Sequence, residues 1–290
     1  MRVLITGGSG LLGSKIAEIS MDRGYEVISG YVEHRPQIGE GLKLDLADPG
    51  EVRRAVIDSE PDIIFHAAAL TDVDKCEIER DLAMKINARG TELVRDVARE
   101  MGAFLVYSST DYVFDGNRGY YREDDPTNPV NCYGQTKLLG EAGCDCVART
   151  SVIYGSRPAR GKVNFALWLI ERLRAGDKIK IVTDQYITPT LNTNLAKMML
   201  EVGERRLEGT YHMAGATRIS RYDFAVEIAK EFGLDAGLIA QSKMSEMNWR
   251  AKRPIDSSLE TKKAARILEE KPLPLKESLR ILRAEIGRTD

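Results

Sequence analysis

The sequence predicts an α/β fold, a doubly wound parallel sheet with a smaller mixed α/β lobe. Three observations predict it. Short β-branched runs alternate with helix-period stretches through the first half, a glycine cluster sits at the first strand-to-helix junction, and the alternation loosens beyond Tyr154. Strands that alternate with helices need crossover connections, and crossovers give parallel strands with helices on both faces. The chain has 290 residues, 43% hydrophobic and 30% charged. That is enough to bury a full core without staples.

Each element has its own signal. Arg2–Thr6 is a β-branched run that ends in glycines, and Leu12, Ile16 and Ile19 follow at helical spacing until Gly24. Glu26–Ser29 reads as the second strand and Leu42–Leu46 as the third. At Asp48-Pro49 a cap, a first-turn proline and a capping-box acid, Glu51, coincide, so a helix starts there. Asp62–Ala69 reads as a buried strand running into small residues, Glu79–Met101 as a long helix, and Phe104–Thr110 as a strand. A helix carries Tyr133–Ala142 and a further strand Cys146–Thr150. Later segments read as helices at Phe165–Leu173, Tyr222–Phe232 and Lys276–Ile286, with a strand in Gly209–Gly215. The expected division is 1–153 for the sheet domain and 154–290 for the lobe, with a segment at about 190–215 returning to the sheet.

Composition excludes several classes. The net charge is -2 with scattered lysines and arginines, so no nucleic-acid footprint is expected. The longest apolar stretches are strand-length, which predicts no membrane span. The first residues run straight into a strand without a signal-peptide pattern, so a cytoplasmic protein is expected. Cys76, Cys132, Cys144 and Cys146 form neither a disulfide framework nor a metal-ligand pattern, so reduced thiols and no metal are expected.

The glycine cluster carries the first functional signal. In Thr6-Gly7-Gly8-Ser9-Gly10-Leu11-Leu12-Gly13, Gly7 permits a tight turn, Gly10 lets backbone approach a pyrophosphate, and Gly13 lets the helix pack on the strand. The helix N-terminus then offers N–H groups and partial positive charge to phosphates. The location confirms what the glycines alone would not: a dinucleotide site on a Rossmann domain. At the end of the second strand no acid stands near Tyr31 to take the ribose hydroxyls of NAD. Arg35 follows and suits the extra phosphate of NADP, while Glu33 could serve the ribose instead. NADP is therefore expected, with NAD as the alternative. Asp45 and Leu46 are placed to reach the adenine.

The second signal is Tyr133-Gly134-Gln135-Thr136-Lys137. A spacing of four puts Tyr133 and Lys137 on one helix face. A phenol is a sluggish proton carrier near neutrality, and a nearby ammonium lowers its pKa by stabilising phenolate. Thr110 ends a strand at the sheet edge where doubly wound folds bind ligands, and its hydroxyl can reach a substrate carbonyl. Thr110, Tyr133 and Lys137 form the candidate catalytic set, and His66 and His212 read as packed neutral histidines.

TGGSGLLG, HAAA, SSTDYVFDG and YGQTK together resemble the extended short-chain dehydrogenase/reductases. STDYVFDG, AALTDVDKCE, RTSVIYG, DQYITPT and RPIDSSLET are similar to blocks of the dTDP-4-dehydrorhamnose reductase family, across nearly the whole chain. That resemblance implies NADPH-dependent reduction of the 4-keto group of a nucleotide-linked 6-deoxyhexose. It implies that Tyr133 protonates the alkoxide, that Lys137 tunes Tyr133 and holds the ribose, and that Thr110 orients the keto oxygen. Ala67, Ala68, Ala69 and Ser108 would line the cofactor, and Thr71, Val73, Asp111, Tyr112 and Val152 the sugar. Asn87 matches a structural asparagine. The family has Trp where this chain has Val152, which removes a flat wall for the sugar. Two alternatives stay open: an epimerase or dehydratase of the same superfamily, and a non-catalytic NADP-binding subunit like that of methionine adenosyltransferase. The expected partner is a nucleotide sugar; a homodimer is kept open beside a monomer.

Overall fold

The computed structural model describes residues 1–159 and 162–287. Residues 160, 161 and 288–290, part of the expected second lobe, lie outside the described residues. The strands of the first half are β1 (Arg2–Thr6), β2 (Glu26–Tyr31), β3 (Glu40–Lys43), β4 (Ile63–His66), β5 (Phe104–Thr110) and β6 (Cys146–Thr150). The second half adds β7 (Ile153–Tyr154), β8 (Ile179–Val182), β9 (Tyr186–Ile187), β10 (Thr190–Leu191), β11 (Gly209–His212), β12 (Ile219–Ser220) and β13 (Ile239–Ser242).

Seven of these form one sheet in the order β11-β6-β5-β4-β1-β2-β3, and every pairing is parallel. The order reverses at β1, between β4 and β2, and such a switch opens a crevice beyond the strands' C-terminal ends. Thr6 ends β1 and His66 ends β4, paired in register, so both border that crevice.

The helices are α1 (Gly13–Asp22), α2 (Pro49–Ser59), α3 (Val73–Ile78), α4 (Arg80–Ala83), α5 (Thr91–Met101), α6 (Cys132–Glu141), α7 (Phe165–Arg174), α8 (Asn192–Glu204), α9 (Arg221–Glu231), α10 (Lys262–Ile267) and α11 (Leu275–Ile286). One sheet face is covered by α1 and α8, where Ile16, Leu195, Met198 and Met199 pack on Ile5, Phe65 and Val106. On the other, Val52, Val56, Val94 and Val97 pack on Leu4, Ile64 and Leu105. α8 and β11 belong to this domain by packing and pairing, although they follow α7 and β7 to β10 of the other lobe. That lobe holds its own core of Leu169, Ile170, Phe224, Ile228 and Leu279, with the strand pairs β10-β7, β12-β9 and β13-β8 at its edges.

Three local expectations need correction. The third strand is Glu40–Lys43, not Leu42–Leu46, because β2 ends at Tyr31 opposite Lys43 and leaves nothing further to pair with. Leu44 and Leu46 are buried all the same, in the core beyond the strand. At α2, Asp48 accepts from the Gly50 and Glu51 N–H groups as expected, but Glu51 reaches the Asp45 N–H at 3.0 Å instead of its own cap. The helix expected over 79–101 widens into a π-turn at Met84–Gly90. Such turns often mark functional sites. Here it lets Asn87 face the loop after β4 while Gly90 abuts Leu46, where a Cβ would lie 2.7 Å from the Leu46 carbonyl oxygen. Among the described residues no helix is long and apolar enough to cross a membrane.

Candidate active site

The glycine turn is built as its spacing requires. Gly7 sits at φ +69, and a Cβ there would lie 3.0 Å from the Ala68 backbone. A Cβ on Gly13 would lie 2.2 Å from the Gly7 carbonyl oxygen. The Gly10 N–H closes the turn onto that oxygen at 2.9 Å. α1 starts at Gly13 with no side-chain cap and no acid in its first turn. The result is a cradle of backbone with an uncapped helix dipole, which fits a dinucleotide pyrophosphate. Leu12 is buried in the core, while the Leu11 carbonyl accepts from Asn192 Nδ2 at 3.0 Å, tying the turn to the start of α8.

Behind the turn runs a chain of buried hydrogen bonds. The Thr91 hydroxyl donates to the Asn87 carbonyl at 2.8 Å, so it accepts from His66 Nε2 at 2.9 Å. His66 Nδ1 therefore accepts from the Thr6 hydroxyl at 2.7 Å, and Thr6 in turn accepts the Ala68 N–H at 3.0 Å. With the Thr91 proton on the Asn87 carbonyl, these partners suit a neutral His66 protonated at Nε2. Full burial pushes His66 down to about 3. Asn87 holds Leu70 by both backbone groups and reaches Thr136 Oγ1 on α6, so it fixes the Ala67–Ala69 segment against the Tyr133 helix.

Asn131 caps α6 by accepting the Gly134 N–H at 2.8 Å. A Cβ on Gly134 would lie 2.1 Å from the Tyr112 carbonyl oxygen, which brings α6 against the end of β5. There Thr110 lies near enough to the Tyr133 phenol to favour its ionised form against the push of burial. Lys137, one turn on, is buried; its Nζ donates to the Ser108 carbonyl at 2.7 Å and lies 4.1 Å from the centre of the Tyr107 ring. Thr110, Tyr133 and Lys137 thus converge beside the switch point.

Without a cofactor, burial governs both members of the helix pair. Burial pushes the phenol up, well above its ordinary value, and burial lowers Lys137 to about 7. The Lys137 ammonium is turned to the Ser108 carbonyl.

The remaining expected residues are divided. Thr71, Val73 and Tyr112 line a cleft of about 450 Å³, and Tyr112 meets the Tyr133 ring edge-on at 6.0 Å. Asp111 does not face it: it is 2% exposed and turned inward onto Thr110, Ser151 and Ser257. Val152 packs on the second lobe's core and is not among the residues lining the cleft. Its φ of +39 is costly for a β-branched residue. Asp45 caps its own loop, accepting the Ala47 N–H at 2.8 Å, and Leu46 is buried beside it. Arg35, in the loop after β2, lies over Gly41 of β3.

Sequence reasoning missed the cleft's far wall. Phe165 and Trp168 come from α7, Arg221 from α9, and Trp249 and Arg253 from the segment after β13. Arg253 stacks 5.3 Å from the Trp249 ring, and Arg221 donates to Gln185 at 3.1 Å. Trp168 sits in a stretch that reads as an ordinary amphipathic helix, so its own segment gave no signal.

Comparison with known proteins places this geometry. Residues 1–286 match the family described as the RmlD substrate binding domain. The probable low-salt glycan biosynthesis reductase Agl14 of Haloferax volcanii is 32% identical over 90% of each chain. A crystal structure of dTDP-4-dehydrorhamnose reductase from Bacillus anthracis, in complex with NADP, is 30% identical, covers 98% of this chain and 99% of its own, and superposes with a TM-score of 0.88. The methionine adenosyltransferase 2 subunit beta of Xenopus tropicalis is 32% identical over 80% of this chain and 72% of its own length.

Proposed function

The chain belongs to the RmlD substrate binding domain family, and on that footing we propose that it is an NADPH-dependent reductase. Its substrate is the 4-keto group of a nucleotide-linked 6-deoxyhexose, as in dTDP-4-dehydrorhamnose reduction. The observation that carries this reading is Tyr133, with Lys137 buried one turn on, meeting edge-on the Tyr112 ring that lines the cleft.

The cofactor, when bound, supplies the hydride. Gly7, Gly10 and Gly13 receive its pyrophosphate on backbone, Ala67–Ala69 flank it, and Arg35 takes the phosphate that distinguishes NADPH from NADH. The chain's own chemistry is then one proton. A ketone that gains a hydride becomes an alkoxide, and Tyr133 completes the alcohol by giving up its phenolic proton. Burial keeps that phenol protonated, which is the form a reductase needs. Lys137 holds the ribose and offers its charge as the phenolate forms. Arg221 and Arg253 on the far wall suit a diphosphate, and Trp168 and Trp249 offer flat faces for a base or sugar that Val152 does not.

Mixing the protein with NADPH and dTDP-4-dehydrorhamnose tests this directly. Nicotinamide absorbance should fall, and Tyr133→Phe should stop turnover while still binding NADPH. Cofactor binding by both proteins, with oxidation by neither across the nucleotide 4-ketosugars, would hand the site to the partner-binding reading.

A further inference from the structure

Among the described residues, four cations line the cleft, Lys162, Lys180, Arg221 and Arg253, against one acid, Asp72. Arg253 is held in place there. One of its N–H groups donates to the Ala251 carbonyl at 3.1 Å, and its guanidinium carbon lies 5.3 Å from the centre of the Trp249 ring. A guanidinium carries five N–H groups in a fixed fork, so most of them stay for a ligand in the cleft.

The group that organises this arginine is not among the cleft's lining residues. Asp74 sits in the first turn of α3. Its Oδ1 accepts the Arg250 N–H at 3.0 Å and the Ala251 N–H at 2.9 Å, and the same oxygen pairs with Arg253 Nη2 at 3.1 Å. Asp74 therefore sets the guanidinium twice. It pairs with it directly, and it holds the peptide of Ala251, whose carbonyl accepts from Arg253. A second anchor keeps the segment's backbone in place: Asn131 Nδ2 donates to the Lys252 carbonyl at 2.8 Å, while Asn131 Oδ1 caps α6. The helix of Tyr133 and the wall of Arg253 are thus tied to one amide.

A long cationic side chain loses rotamer freedom when it closes on a ligand, and that loss weakens binding. An arginine fixed by folding has lost it beforehand, and its planar fork can pair with two phosphate oxygens at once. We propose that Asp74 is a positioning residue for Arg253: it fixes the guanidinium where the linked phosphates of a nucleoside-diphosphate sugar dock. Affinity for the substrate's diphosphate then depends on a carboxylate that never touches it. The proposal rests on the reading of the chain as a nucleotide-sugar reductase.

Position and charge can be separated. Asp74→Asn keeps an oxygen at the same place for the two backbone N–H groups and loses the charge. Asp74→Glu keeps the charge and carries it one methylene away from them. Isothermal titration with dTDP, UDP, GDP and CDP finds the nucleotide that wild type binds best, and the variants are compared on it. Asp74→Asn should stay within about threefold of wild type, and Asp74→Glu should bind roughly tenfold or more weakly, the order of one charge-assisted hydrogen bond. Asp74→Ala gives the same reading should the longer side chain not be accommodated, because Asp72 caps α3 on its own.

Two further readouts would not follow from a merely structural role. Asp74→Glu should raise the KM for the nucleotide sugar and leave kcat and NADPH affinity unchanged. In an Arg253→Met background the same change should cost little more. An unchanged nucleotide affinity, a parallel loss of NADPH binding, or a full loss that persists without Arg253 overturns the proposal. Wild type that binds none of the four nucleotides overturns the nucleotide-sugar reading, and the proposal with it. Wild type that binds one, responds to the variants as expected and yet reduces no nucleotide 4-ketosugar supports the part given to Asp74 and overturns the reductase reading alone.

Discussion

The glycine cradle and the far wall of the cleft are made by different means. The glycine wall is backbone: Gly7, Gly10 and Gly13 place peptide groups where side chains would otherwise stand, and Thr6 and His66 beside it are fully buried. The far wall is side chain: Phe165, Trp168, Arg221, Trp249 and Arg253 reach in from three segments of the second lobe. A backbone wall has almost no tolerance, because a single Cβ displaces it. A side-chain wall can be edited one residue at a time, and its chemistry can drift while the glycine wall stays fixed.

The sharpest way to test that contrast is to add one carbon. Gly13→Ala would set its Cβ 2.2 Å from the Gly7 carbonyl oxygen, so either α1 or the turn must move by an ångström or so. Misplacement on that scale costs roughly 10²-fold in function, and isothermal titration with NADPH should show a loss of that order. On the other wall, Trp168→Ala should leave NADPH affinity unchanged and raise the KM for the nucleotide sugar. Equal NADPH affinity for wild type and Gly13→Ala would show that the glycine wall is not the cofactor's.

On the helix that carries Tyr133 and Lys137, the proposed function and stability pull apart. Burial holds Lys137 at about 7, whereas an unfolded lysine titrates near 10.4. Below about pH 7 both states bind the proton, and the folded state carries the whole cost of a buried charge. Between about pH 7 and 10.4 only the unfolded state is protonated, so the folded state gains as pH rises. Lys137→Met should therefore stabilise the cofactor-free protein by about 3 kcal/mol at pH 6, with the gain fading toward pH 10, and should abolish turnover. Denaturant midpoints at several pH values check the sign: a gain that grows with pH would mean that Lys137 is not held down by burial.

The contrast also explains what could be read in advance. The sheet domain was legible because its signals are local: β-branched runs, the Asp48-Pro49 start, and glycines spaced for one turn. The Tyr133 and Lys137 pair was legible because a spacing of four on a helix is local too. The far wall was not, since Trp168 looks like any apolar residue of α7 until the fold sets it beside Thr71 and Tyr112. Asp111 was misread for the same reason. Its partners Ser151 and Ser257 lie 40 and 146 positions away, and only they turn it from the sugar to Thr110. The third strand was misplaced because its length depends on where β2 stops, which its own residues do not state.

Arg35 tests the cradle from its outer end. It stands beyond β2, where no acid occupies the ribose slot, and it is free of the deep packing that fixes Gly13. A charge-assisted pair with a phosphate is worth about 1.5–3 kcal/mol, so Arg35→Ala should weaken NADPH by roughly ten- to a hundredfold and leave NADH nearly unchanged. Equal losses for both would remove Arg35 as the phosphate ligand and reopen NAD as the cofactor.

The smallest effect concerns Val152, which joins the two lobes. Its φ of +39 is a left-handed conformation that β-branched side chains resist, at a cost on the order of 1–3 kcal/mol. Its backbone carbonyl accepts the Thr190 N–H at 3.1 Å, so the conformation is held by the neighbouring strand. Val152→Gly removes the strain along with a partly buried side chain, and adds roughly 0.5–1 kcal/mol of chain entropy to the unfolded state. The terms nearly cancel, so the variant should lie within about 1 kcal/mol of wild type. Val147→Gly, at an unstrained and buried position in β6, loses the same atoms with no strain to relieve and should cost roughly 3 kcal/mol or more. Similar losses at the two positions in a urea melt would mean that residue 152 stores no strain.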